Sequence, residues 1–75
     1  MEDKLMDILA EVLEVEKNSL NLDTNFKHEK FSFDSLKGFA ILVMIEDEFE
    51  INIPADDFVK IEKISELLDY IKEVK

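Results

Sequence analysis

Asp34-Ser35-Leu36-Lys37-Gly38-Phe39-Ala40-Ile41-Leu42-Val43-Met44-Ile45-Glu46-Asp47-Glu48-Phe49-Glu50 is the stretch on which the fold turns. The residues from Phe39 to Ile45 are apolar almost all round a helix. A helix apolar on every side is one touched by neighbours on several sides. Leu42, Ile45 and Phe49 share one face, and Leu36, Phe39 and Val43 share another close by. β-branched residues raise a strand alternative, but the length and the Glu46-Asp47-Glu48 tail favour a helix over 35–50. Asp34 is placed to cap its start. Ser35 then lies in the first turn, where backbone N–H groups lack internal partners and the dipole favours negative charge. A hydroxyl there is well placed to carry a phosphate. Ser35 reads as an attachment point rather than a nucleophile.

The flanking segments follow from spacing. Leu5, Ile8, Leu9, Val12 and Leu13 form one apolar stripe, which predicts a helix over 3–15 and gives the central helix a neighbour. Between 16 and 33 that pattern fails. Asn18, Ser19, Asn21, Asp23, Thr24 and Asn25 form turns and caps. Leu20, Leu22, Phe26, Phe31 and Phe33 punctuate them, so the loop is expected to lie over a core, with the three Phe residues as anchors. Ile51-Asn52-Ile53-Pro54 breaks the central helix, and Pro54 can open a short helix over 55–60. Ile64, Leu67, Leu68, Ile71 and Val74 predict a last helix over 64–74. The expected fold is all-α: a small bundle of three main helices and one short one, with a long loop after the first. Residues 1–75 are expected to form one domain. One Gly and one Pro argue against an all-β alternative rich in turns.

Composition narrows the function. Acidic residues number 19 against 9 basic ones, for a formal charge of −10. Such a surface repels nucleic acid and anionic lipid and attracts proteins with basic patches. It also repels itself, so low salt should weaken a bundle of modest stability. No Cys is present, which excludes disulfides and thiolate metal sites. His28 stands alone on a polar loop and is expected to be solvated rather than metal-bound. A calcium loop starting at Asp23 would need Gly where His28 stands, and Lys27 would occupy a ligand position. No catalytic set is evident, so the chain is not expected to be an enzyme. Met1-Glu2-Asp3-Lys4 lacks a signal-peptide pattern, and no apolar run would span a bilayer. A cytoplasmic monomer without membrane insertion is expected.

Taken together, Asp34-Ser35-Leu36, the Glu46-Asp47-Glu48-Phe49 helix end, Ile53-Pro54 and Leu68-Asp69-Tyr70-Ile71 make the chain resemble an acyl carrier protein over essentially its whole length. The resemblance implies 4′-phosphopantetheine esterified to Ser35, with Asp34 and Leu36 flanking the modified residue. It implies a phosphopantetheinyl transferase that adds the arm, and acyl-transferring and condensing enzymes as partners. The arm's thiol would then carry acyl groups as thioesters for fatty acid, polyketide or related lipid synthesis. The other reading is an unmodified acidic helical adaptor that binds a basic partner.

The chain departs from the family pattern in places. Phe31-Ser32-Phe33 stands where the family usually has a Leu-Gly pair, and the step from Phe26 to Asp34 is one residue longer than usual. On the partner-facing side of the central helix, the resemblance implies Lys37, Ala40, Val43, Glu46 and Asp47. Only the last two keep the acidic character of fatty-acid-synthesis carriers, which tips the reading toward a specialised carrier. The resemblance also implies an acyl pocket of Leu42, Ile45, Phe49, Ile53, Phe58, Ile61 and Leu67. The bulk of Phe58 and Leu67 would make it tight and favour short or unsheltered cargo. Gly38 costs about 1 kcal/mol relative to Ala inside a helix. Close approach by a partner or by the arm is one reason for it, and chance is another.

Overall fold

The computed structural model describes residues 1–74. Four helices follow one another: α1 (Glu2–Leu13), α2 (Ser35–Phe49), α3 (Ala55–Lys60) and α4 (Ile64–Val74). Two short 3-10 turns, Lys17–Ser19 and Glu29–Phe31, lie between α1 and α2. The all-α bundle read from the sequence is the fold of the chain.

Each main helix turns one stripe inward. Leu5, Ile8, Leu9 and Leu13 of α1 meet Ile41, Ile45 and Phe49 of α2 and Ile64, Leu67, Leu68 and Ile71 of α4 in one cluster. Helix α2 has neighbours on several sides, as its apolar character implied, but it is not covered all round. Leu36, Phe39 and Val43 remain 78%, 68% and 46% exposed. The bundle is too small to supply a neighbour for every face of a helix.

The helix ends explain small shifts in boundaries. Helix α1 stops two residues before the expected end because Glu14 turns left-handed, with φ 58°. Its N–H and that of Val15 return to the Ala10 carbonyl. Helix α2 ends alike: Glu50 has φ 55°, and Ile51 N–H donates to the Glu46 carbonyl at 3.3 Å. Both are glycine-type endings built on glutamate, a conformation costing roughly 1–2 kcal/mol for residues with a Cβ. The only Gly of the chain sits elsewhere, inside α2.

The long loop is tied down along its length. Asn21 Oδ1 accepts from Asp23 N–H and Asn25 Oδ1 from Lys27 N–H, at 2.8 and 2.9 Å. Phe26 is fully buried, with Leu20 and Phe31 nearly so, while Phe33 is half-buried. Leu22 does not anchor the loop through its side chain, which is 37% exposed. Its carbonyl instead accepts from Ser65 N–H at 2.9 Å, beside the bond from Ile64 N–H to Thr24 O at 3.0 Å. The loop thereby satisfies amides at the start of α4 that the helix cannot pair itself. The Glu66 carboxylate takes two more, from Glu62 and Lys63, each at 2.9 Å, and these bonds hold its pKa below the ordinary value. His28, expected to be merely solvated, caps the second 3-10 turn: its Nδ1 accepts from Lys30 N–H at 3.0 Å.

Candidate functional site: the start of helix α2 and its apolar groove

The site begins with the turn that delivers the chain to α2. Ser32 adopts φ 54°, the left-handed region that glycine enters freely. Its N–H donates to the Glu29 carbonyl at 2.8 Å. The turn thus places its strain at a serine, two residues before Asp34. Asp34 is extended, and its Oδ1 accepts from Lys37 N–H at 2.9 Å, so it caps α2 as its position predicted. Ser35 opens the helix and is exposed to solvent.

A groove of about 490 Å³ opens beside Ser35. Gly38, Phe39 and Leu42 of α2 form one wall, and Ala55, Phe58 and Val59 of α3 form the other. Phe33 and Lys27 of the loop complete it. The aromatic rings are mutually braced. Phe33 stands edge-on to Phe26 at 6.2 Å between centroids, and Phe26 lies 6.0 Å from Phe58. Gly38 packs close under these rings: a Cβ there would meet the Phe33 ring at 3.1 Å. Gly38 is buried beside the chain's own loop, and the Phe33 ring would have to give by a few tenths of an ångström to admit a larger residue. A second hollow, between the start of α1 and the loop, shares no residue with this groove.

Lys27 was not anticipated. Its Nζ donates to the Phe58 carbonyl near the end of α3 and lies 4.3 Å from the Phe58 ring centroid. Burial lowers its pKa from the ordinary lysine value, while Glu62 and Glu66 pull the other way. No sequence signal marks Lys27, because the loop brings it to α3 across a long sequence separation. Phe39 could have been found: it lies one helical turn beyond Ser35.

The residues forecast for the acyl pocket divide. Leu42 and Phe58 line the groove, whereas Ile45, Phe49, Ile53, Ile61 and Leu67 lie buried in the core and do not line it. The partner-facing set divides as well. Val43 and Asp47 are exposed, and Lys37, Ala40 and Glu46 are half-buried. Lys37 Nζ donates to the Phe31 carbonyl at 3.0 Å, bracing the turn before Ser35. Glu46 Oε2 accepts from Ile53 N–H at 2.9 Å, an internal role for a residue expected to face outward. Among the described residues no acidic or histidine cluster is arranged to hold a metal. No helix among them is long and apolar enough to cross a membrane.

The model of the phosphopantetheine attachment site family matches residues 3–71. The chain belongs to this family of carriers. An acyl carrier protein from Rickettsia canadensis is 36% identical over 73 residues, 97% of this chain and 84% of its own. One from Lactobacillus acidophilus is 35% identical over 69 residues, 92% of this chain and 85% of its own. The carrier therefore works with a 4′-phosphopantetheine group, bears acyl groups and is not an enzyme. It acts beside enzymes of acyl metabolism. The reading as an unmodified adaptor falls away.

Proposed function

We propose that the Ser35 hydroxyl is the point at which the arm is esterified. The observation that carries this is the exposed Ser35 at the start of α2, opening onto an apolar groove. Unpaired N–H groups and the helix dipole favour a phosphodiester there. Asp34 fixes the first turn, and Leu36, 78% exposed, flanks the hydroxyl on the surface that a transferase would grip. The bound arm supplies the thioester sulfur that a chain without Cys lacks.

The carrier is cytoplasmic and monomeric, and residues 1–75 act as one domain. It receives the arm from a phosphopantetheinyl transferase and then meets acyl-transferring and condensing enzymes. These read Lys37, Ala40, Val43, Glu46 and Asp47 together with the exposed side chains of Leu36 and Phe39. That patch is more apolar than acidic, which favours a specialised fatty acid, polyketide or lipid pathway. Of the forecast pocket only Leu42 and Phe58 border the groove, which favours short or unsheltered cargo. The core side chains Ile45, Phe49, Ile53, Ile61 and Leu67 would have to part to admit a long chain.

Incubation with coenzyme A, magnesium and a broad-specificity transferase tests the attachment. Intact mass should rise by one phosphopantetheine, and Ser35→Ala should abolish the rise. A rise that persists in Ser35→Ala, or none in the parent chain, refutes it. Swapping Lys37 to Asp and Ala40 to Glu tests the docking face: unchanged kinetics with partner enzymes would dismiss it.

A further inference from the structure

Apart from Ser35 itself, the groove is apolar except at one point. Among the described residues Lys27 is the only charged one lining it, and it is half-buried. The chain has 19 carboxylates, yet among the described residues none lies within ion-pair distance of this ammonium; the ion pairs found there belong to Lys17, with Asp3 and Asp7. Glu62 and Glu66 are near enough to be felt but not to bond. Among the described residues the ammonium has one acceptor, the Phe58 carbonyl, and two ring faces, that of Phe58 at 4.3 Å and that of Phe26 at 5.8 Å. A bond to a carbonyl in the last turn of a helix is a capping interaction, and it occupies one of three N–H donors. Two donors remain, on a cation held in place at an apolar wall.

Filling such a groove has opposite consequences for different cargo. A hydrocarbon chain would strip more water from the ammonium and give nothing in return, which is costly for a charge. A carboxylate would complete its hydrogen bonds with a charge-assisted pair. We propose that Lys27 makes this groove selective for acyl cargo with an anionic oxygen of its own: a thioester of a dicarboxylic acid in preference to a hydrocarbon acyl chain of equal length. The inference rests on attachment of the arm at Ser35. The arm's own phosphodiester is the other anion close to this groove, so the test separates the two.

The transferase is used to load three forms, from coenzyme A, butyryl-coenzyme A and succinyl-coenzyme A, with loading confirmed by intact mass. The side-chain ammonium resonance of Lys27 is then followed by NMR, together with the thermal midpoint. The succinyl form should shift the Lys27 signal away from its position in the bare-arm and butyryl forms. It should also melt a few degrees above the butyryl form, and Lys27→Met should erase that difference. Equal Lys27 signals in the butyryl and succinyl forms would overturn the selectivity. So would a bare arm that already produces the full shift, since the phosphate would then be the partner. Because the spectra are read on the parent chain, the result stands even if Lys27→Met folds poorly. Absence of any mass gain would bring down attachment and selectivity together, whereas a mass gain without discrimination would bring down selectivity alone.

Discussion

The two faces of helix α2 are built from the same kind of side chain and meet opposite fates. Inward, Gly38, Ile41, Ile45 and Phe49 are buried against α1, α4 and the loop. Outward, Leu36, Phe39 and Val43 stand in solvent, with Val59 of α3, 72% exposed, on the opposite wall of the groove. Spacing on the helix cannot separate these stripes, since each repeats at three or four residues. The difference comes from whether another element arrives to cover the face. The inward face stabilises the fold. The outward face does little for stability, and an apolar patch left uncovered marks a binding surface.

The sharpest way to break this contrast is Ile45→Ala. Ile45 is fully buried, so the change should cost about 2–5 kcal/mol. In a domain whose core supplies only about 3–5 kcal/mol, thermal or urea unfolding should show most of the stability gone. Next comes Glu46→Ala at the edge between the faces. It leaves Ile53 N–H without its carboxylate partner and should cost about 1 kcal/mol in urea melts. A loss that small also bears on role: a carboxylate used only for docking would leave stability unchanged. Gly38→Ala should move the thermal midpoint little, because about 1 kcal/mol of helix propensity is offset by the push on the Phe33 ring. NMR should show the Phe33 and Phe26 ring signals displaced. Smallest in stability is Phe39→Ala, within about 0.5 kcal/mol of the parent. Acyl transfer from partner enzymes should nonetheless slow severalfold. If Phe39→Ala destabilised the fold as Ile45→Ala does, the division between the faces would be lost.

Most of the fold could be read from residue spacing. Leu5, Ile8, Leu9 and Leu13, and Ile64, Leu67, Leu68 and Ile71, announced α1 and α4 because each stripe is narrow and meets a single core. Helix α2 was harder. Its run of apolar residues revealed a helix but not which side would be covered, because that depends on elements distant in sequence. Asp34 and Ser35 were legible, since capping and helix-start chemistry are local. Lys27 was not, and Phe33 was legible as a loop anchor but not as a groove residue, because only the closed loop brings them there. The left-handed Ser32 was hidden for another reason: serine there betrays no preference for that conformation.

The bonds from Leu22 and Thr24 to the start of α4 have a consequence for how the molecule breathes. The amides of Ile64 and Ser65 sit in a C-terminal helix, but they are shielded by a segment made forty residues earlier. Their hydrogen-exchange rates should therefore report lifting of that segment rather than fraying of the helix they begin. A protease cut within the segment would be felt first at the far end of the chain.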